Sequence, residues 1–385
     1  MRVFFYQRKI MIVIIKEVKT PKMLKDFVKF PNILYKENPY YVPQIESMYY
    51  DTLSPEKNRA FEVCEGKYWL AYNEKKEIVG RIAGIINHQY NEKVGAKICR
   101  FGWMDFIDSE DVVNKLLETV EEYARQKGME IMNGPTGFLE FDAAGVLVDG
   151  FDQLPTAYGK YNAPYYEQHL LNHGYRKDTD FVEYLIDVPT AVPENFATAV
   201  KILPQRYGLR ILPLKSKREL MPYADDVFEC MNRCYSKLHG FSELSPGQCD
   251  DLKKQFIPNL NLDYVTIIVD AEDKVVAFGV AMPSLSKAMQ KAKGHLFPFG
   301  WIHILRALRK NDTIDSLLIA IDDPYKNKGL NAIIFEKVIR SSLKNGVKHV
   351  ESTRHLEENV QVQNLWNRFE HKLHKRARIY VKELS

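Results

Sequence analysis

Ser316-Leu317-Leu318-Ile319-Ala320-Ile321-Asp322-Asp323-Pro324-Tyr325-Lys326-Asn327-Lys328-Gly329-Leu330-Asn331-Ala332 leads into a helical pattern that ends at Asn345-Gly346. An apolar strand runs into a short basic loop, and the loop opens directly onto a helix. The first turn of a helix carries backbone N–H groups without intrahelical partners. The helix dipole adds partial positive charge at the same place. Lys326 and Lys328 add full charges, and Gly329 has no Cβ to keep a ligand away. Asn331 is placed to cap the helix or touch the ligand. The stretch therefore predicts a cradle for phosphate or pyrophosphate. It is neither a P-loop nor a dinucleotide fingerprint, since the glycine spacing of both is absent. The alternative is an ordinary strand-to-helix turn with solvated lysines.

The chain around it has 385 residues, enough for two or three domains. Its hydrophobic content of 45% and charged content of 27% are those of a soluble globular protein. A net charge of +4 suits a polyanionic small ligand without demanding nucleic acid. The five cysteines show no C-x-x-C spacing. Cys230 and Cys234 share a helix face, but no Cys/His set completes a zinc site, so buried thiols in a reducing compartment are expected. His295, His303 and His355 lack metal-ligand spacing, and no metal is expected. Met1 to Ile15 is apolar in patches broken by Arg2, Arg8 and Lys9, too short to span a bilayer. No cleavage site follows, and strand-like sequence begins at Met11. A cytoplasmic protein is expected.

The chain repeats itself weakly. Tyr68-Trp69-Leu70-Ala71-Tyr72 and Ile78-Val79-Gly80-Arg81-Ile82 read as a hairpin, as do Tyr264-Val265-Thr266-Ile267-Ile268 and Val275-Val276-Ala277-Phe278-Gly279. The offset is 197 (275 − 78), which indicates a duplicated domain. Each half reads strand, helices, hairpin, strand, long helix, strand, helix, strand. In the first half the long helix spans Ser109 to Lys127, with Glu110 and Asp111 in its first turn. Those acids repel a phosphate, so the second half is expected to hold the ligand. The halves are residues 1–187 and 209–385. The segment 188–208, with Pro189, Pro193 and Pro204, predicts a linker carrying a short helix from Pro193 to Tyr207.

The run Pro324 to Ala332 resembles the acyl-CoA pyrophosphate loop of the GNAT (Gcn5-related N-acetyltransferase) superfamily, which reads Pro-x-(Arg/Gln)-x-x-Gly-x-(Gly/Ala). It keeps the Pro, the basic residues and the first Gly, and departs at Asn331. A second resemblance covers nearly the whole chain. Asn133-Gly134-Pro135-Thr136-Gly137, Gly150-Phe151, Tyr161-Asn162-Ala163-Pro164-Tyr165-Tyr166, His173-Gly174-Tyr175 and Gly294 to Trp301 are similar in order to a YghO-like family of bacterial tandem GNAT-like N-acyltransferases.

The resemblance implies an α/β (α+β) architecture of two tandem GNAT-like folds, each a mixed, mostly antiparallel sheet flanked by helices. It implies acyl-CoA as co-substrate and transfer of an acyl group to a primary amine, with a lipid amine as one candidate acceptor. It places CoA on Lys326, Asn327, Lys328, Gly329, Leu330, Asn331 and Ala332, and the thioester carbonyl on strand amides near Leu318 and Ala320. The superfamily's general-acid Tyr, on a helix opening at Glu358-Asn359 and running to Leu373, aligns with Trp366 here. The rival readings are a non-catalytic ligand sensor or scaffold, which Trp366 and Asn331 favour, and a Fem-type aminoacyl-tRNA-dependent transferase.

Acyl transfer needs a base for the amine, a polarised carbonyl and an exit for the thiolate. Asp322 ends the strand and Glu351 lies on the neighbouring one. Either is a candidate base, or else Asp322 caps the loop and Glu351 pairs with Arg354. Tyr161, Asn162, Tyr165 and Tyr166, after a loop containing Asp142, form an aromatic-polar cluster. The cluster reads as an acceptor-site wall or as structural packing. Leu296 to Leu308 reads as an acyl-chain channel, a helix touching the inner face of a membrane, or a core helix with a basic end. The basic tail His371 to Arg378 reads as a solvated turn before a last strand at Ile379-Tyr380-Val381, or as a contact for CoA phosphates, lipid headgroups or RNA.

Overall fold

The computed structural model describes residues 11–238 and 240–384. The apolar patches of residues 1–10 lie outside them. Among the described residues, fourteen strands form one sheet. In chain order they are β1 (Ile14–Glu17), β2 (Cys64–Tyr72), β3 (Ile78–Asn87), β4 (Ile98–Phe106), β5 (Ile131–Gly134), β6 (Val146–Asp149) and β7 (Arg176–Asp187). Then follow β8 (Arg210–Ile211), β9 (Val265–Val269), β10 (Val275–Pro283), β11 (Thr313–Ile321), β12 (His349–Ser352), β13 (His355–Leu356) and β14 (His371–Glu383). In space the order is β1-β2-β3-β4-β5-β14-β7-β12-β11-β10-β9-β8, with β6 on β14 and β13 on β7. The pairs β4·β5 and β11·β12 are parallel and the others antiparallel. This is the mixed, mostly antiparallel sheet with flanking helices that the sequence predicts.

The helices follow the apolar spacing. Helix Glu110–Gln126 buries Val113, Leu116, Leu117, Val120 and Ala124 along one stripe, the i, i+3, i+4 pattern of a core-facing helix. Its counterpart Leu330–Asn345 buries Ile333, Ile334, Phe335 and Ile339, and it packs against the linker helix Glu194–Tyr207. Strand β9 is buried at every position, which matches its unbroken Val-Thr-Ile-Ile-Val run.

The spatial order is nearly palindromic, and its centre is an exchange. The last strand of the first half, β7, pairs with β12 and β13 of the second. The last strand of the second half, β14, pairs with β5 and β6 of the first, and with β7. The halves 1–187 and 209–385 therefore describe chain order, while the sheet runs through both. The basic tail is not a solvated turn. His371 to Arg378 belongs to β14, and the helix expected to reach Leu373 stops at Trp366 because the residues beyond it join the sheet.

Charges fasten the exchange. Lys375 on β14 is buried, with its Nζ on Glu183 of β7 at 2.8 Å, on Glu351 of β12, and donating to the Leu154 carbonyl at 3.0 Å. Burial alone raises the Glu351 carboxyl, but contact with His374 and the Lys375 charge holds it below the usual range. Asp180 on β7 accepts from Arg376 at 2.9 Å and from Arg378 at 2.7 and 3.0 Å. Against the cost of burial, the arginines and Lys177 pull its pKa down to about 2.

Removing one partner of a buried pair leaves an uncompensated charge. Lys375→Met strands Glu183 and Glu351 together, and is expected to cost about 3–5 kcal/mol in urea unfolding. A loss under about 1 kcal/mol, the size of an exposed pair, contradicts this account.

Candidate active site

Strands β11 and β12 run in parallel from Thr313 to Ser316 and from His349 to Ser352, and then separate. Strand β12 ends, while β11 continues to Ile321. Thr353 marks the fork: its N–H donates to the Ser316 carbonyl at 3.2 Å, and its hydroxyl lies 2.9 and 3.2 Å from the carbonyls of Ser316 and Leu317. On the other edge, the register with β10 passes from Ser316 to Leu318 and skips Leu317, a bulge that re-aims the strand at the fork. Beyond it, the gap-facing backbone of residues 317–321 has no strand partner.

The gap opens on a cavity of about 330 Å³. Its walls are mostly apolar: Val227, Phe228 and Met231 of helix Ala224–Tyr235, Leu252 and Phe256 of helix Pro246–Phe256, and Val265, Ile267, Phe278 and Val280 of the sheet. Tyr235, Thr353, Arg354, His355 and Trp366 are among the polar groups that line it.

The predicted cradle lies at the far end of β11. Asp323–Tyr325 forms one 3-10 turn, Asn327 and Gly329 take positive φ, and helix Leu330–Asn345 begins. Gly329 has φ 84°, a conformation that favours glycine, while the space around it is open enough for a Cβ. Among the described residues, no side chain caps this helix and no acid stands in its first turn. Lys326 pairs with Asp323 at 2.6 Å, which also holds Lys237, so part of its charge is spent locally. Lys328 lies over the rings of Tyr207 and Tyr325, at 5.0 and 5.1 Å. Leu330 and Ala332 are buried and Asn331 is partly exposed.

The candidate acids are both in ion pairs. Asp322 takes the Arg233 guanidinium on both oxygens, at 3.2 and 2.7 Å, beside Cys234 at 3.5 Å and close to Cys230. Glu351 is held by Lys375 and lies 3.2 Å from His374; it does not pair with Arg354. Arg354 instead donates to the carbonyls of Asp142 and Ala144, each at 2.8 Å. The Asp142 carboxyl, raised by burial to about 6, accepts from Leu139 N–H at 3.0 Å.

The aromatic cluster occupies the matching fork of the first half. There β4 and β5 pair from Ile98 to Arg100 and from Ile131 to Asn133, and then part. The free edge of β4 is filled from within. Lys160 donates to the Met104 carbonyl at 2.6 Å, Tyr165 donates to the Phe106 carbonyl at 2.5 Å, and Phe106 N–H donates to the Tyr166 hydroxyl at 3.0 Å. Tyr166 also shares a 2.6 Å hydrogen bond with Tyr35. Asn162 holds both backbone groups of Leu147, and the Tyr161 hydroxyl accepts from Asn38. None of Tyr161, Asn162, Tyr165 and Tyr166 lines the cavity. Helix Glu110–Gln126, at this fork, has Glu110 and Asp111 in its first turn, and Asp111 accepts from Met11 N–H at 2.8 Å. The first fork is thus plugged, while the second opens on the cavity.

Sequence reasoning passed over two groups at the open fork. His355 donates through Nδ1 to the Thr353 carbonyl at 3.0 Å, which leaves Nε2 as an acceptor, and that atom is buried without a partner. Burial lowers its pKa, so the ring is neutral at pH 7. Tyr235 donates to the Ile319 carbonyl at 3.0 Å, and burial pushes its pKa up, which keeps the hydroxyl protonated. A lone His after a strand carries little signal, and Tyr235 lies outside every motif.

This order of elements, with its parallel fork, is the tandem GNAT fold. A tandem GNAT protein from the clavulanic acid biosynthesis pathway superposes with a TM-score of 0.55 at 13% identity, covering 97% of this chain and 99% of that one. A GCN5-related N-acetyltransferase from Sphaerobacter thermophilus gives 0.51 at 9% identity, with 97% and 96% covered. In sequence, the chain is 25% identical over 371 residues to protein YghO of Escherichia coli (strain K12), covering 94% of this chain and 93% of YghO. It is 27% identical over 296 residues to the bacterial ceramide synthase of Caulobacter vibrioides (strain NA1000 / CB15N), covering 76% and 75%. No family model matches the chain.

Tyr166→Phe removes a partner from the Phe106 N–H and from the Tyr35 hydroxyl, both buried. It is expected to lower stability by about 1–3 kcal/mol in denaturant titration. An unchanged midpoint contradicts the plugged-fork reading.

Proposed function

We propose that the protein is an acyl-CoA-dependent N-acyltransferase that moves a long acyl chain to a primary amine, with the cofactor in the second half. One arrangement carries the reading: β11 has an apolar cavity along its free edge at Ser316 to Ile319, and the same strand runs on to a helix start that no described side chain caps. A diphosphate suits the amides and Lys328 at that start, with Lys326, Asn327, Gly329, Leu330, Asn331 and Ala332 around it. An acyl chain suits the cavity. The name of the Caulobacter relative supports an amine of the lipid class as acceptor.

The chain's own groups can then be given roles. A strand residue turns its N–H and C=O to the same edge. The Ile319 carbonyl receives the Tyr235 hydroxyl in the cavity, so we place the carbonyl-polarising amide at Ile319 rather than at Leu318 or Ala320. The one-residue shift follows from the bulge at Leu317. We place the base at His355 Nε2, since Asp322 and Glu351 are committed to ion pairs. The amine nitrogen bonds to the carbonyl carbon as the C–S bond breaks. His355 takes the amine proton, and Tyr235 is the donor for the departing sulfur. Trp366 stands at the superfamily's tyrosine position and lines the same cavity with its indole Nε1 unpartnered, which favours the second reading, ligand binding without turnover.

A thermal-shift series with acetyl-, octanoyl- and palmitoyl-CoA tests the cofactor site. A ligand at about 100 times its Kd stabilises by about 2.7 kcal/mol. The shift is expected to grow with chain length and to vanish in Lys328→Glu. A variant that responds like wild type means that the cradle is misplaced.

His355→Gln tests turnover. The expectation is a fall in kcat of about 10²- to 10⁴-fold with the palmitoyl-CoA shift unchanged. The imidazole must be neutral to act, and burial lowers its pKa, so the acid limb of kcat/KM falls below about pH 6.5. A CoA-dependent shift with no thioester turnover by wild type decides for the second reading.

A further inference from the structure

The two halves differ in length between the hairpin and the fork strand. The starts of β3 and β4, Ile78 and Ile98, are 20 residues apart, whereas those of β10 and β11, Val275 and Thr313, are 38 apart. Each gap holds a short helix, His88–Val94 or Ser286–Ala292, and the extra length builds the following turn and helix Gly300–Arg309. Its inner side is anchored: Leu296 and Ile304 pack with Met289, Ala292, Val42 and Ile45. Its outer side is apolar and bare. Phe297 is 79% exposed and Phe299 68%, and Trp301 and Leu305, one helical turn apart, are exposed beside them. The Trp301 indole donates to the Pro298 carbonyl at 2.9 Å, which fixes the ring at the surface.

The segment's own charges have one sign. From Ser284 to Asn311 there are six Lys and Arg residues and no Asp or Glu. Lys287 pairs with Asp312 at 3.5 Å, and Glu46 lies 3.9 Å from His295. Lys291, Lys293, Arg306, Arg309 and Lys310 have no acidic partner among the described residues. Exposed aromatic rings with flanking cations suit the boundary between headgroups and acyl chains of an anionic bilayer. A second copy of the same face would bring like charges together.

We propose that the segment Ser284–Asn311 docks the protein on an anionic lipid bilayer, with Phe297, Phe299 and Trp301 inserted and Arg306, Arg309 and Lys310 on the headgroups. The surface is separate from the candidate active site and stands whatever that site turns over. It also adjoins the cavity. Ser286 donates to the Pro155 carbonyl at 2.7 Å, and the neighbours Thr156 and Tyr158 line the cavity wall.

Vesicle flotation of the full chain tests the proposal, with phosphatidylcholine alone and with phosphatidylcholine mixed with phosphatidylglycerol. Binding is expected on the mixed vesicles, weak on the neutral ones, and reduced at 1 M salt, where the screening length falls to about 3 Å. Phe297→Ser/Phe299→Ser and Arg306→Glu/Arg309→Glu are each expected to weaken it about tenfold or more. These side chains are exposed, so melting temperatures should not move. Equal binding to both vesicles, or wild-type binding by both variants, overturns the proposal. So does a wild-type dimer in light scattering that the Phe variant makes monomeric, with no vesicle binding.

Discussion

The fold rests on one buried cation. Lys375 comes from the last strand and satisfies carboxylates on two strands that belong to different halves, Glu183 and Glu351. A lysine out of water is costly unless its partners are close and correctly aimed. The sheet is therefore registered at its centre by charge as well as by apolar packing, and a slip of one residue in β14 would turn Lys375 to the opposite face. Asp180, with Arg376 and Arg378, repeats the device further along the same strand pair.

The sheet has two matching forks, and the halves use them in opposite directions. In the first, tyrosines and a lysine satisfy the exposed edge of β4, and acids occupy the helix start. In the second, the strand edge faces a cavity and the helix start is uncapped. The contrast is local chemistry on one backbone plan: Tyr166 beside Phe106 in one half, Tyr235 beside Ile319 in the other.

Much of this plan was legible in the residues. The 197-residue offset, the long helices and the basic loop before Gly329 depend on spacing along the chain, and spacing survives in a sequence. The exchange of β7 and β14 did not show. His371 to Arg378 carries the composition of a solvated turn, and only contact with Glu183, Glu351 and Asp180 from elsewhere makes it a buried strand. The aromatic cluster misled for a related reason. Tyr165 and Tyr166 have the same composition whether their hydroxyls meet a ligand or the backbone of Phe106. The bulge at Leu317 shifted the strand alternation by one residue, which no periodicity count detects. His355 depends on a single hydrogen bond to fix its tautomer, and a sequence does not record that.

The strand order also constrains how the chain is made. Strand β7 leaves the ribosome after β5 and β6, yet its pairing partners β12, β13 and β14 all lie in the second half. The slot between β5 and β7 stays open until the final strand arrives. For the length of roughly half the polypeptide, a nascent chain carries two unpaired edges, the kind of surface that recruits stray strands. Charge on β7, Asp180 and Glu183 among it, works against foreign pairing at the waiting edge during that interval.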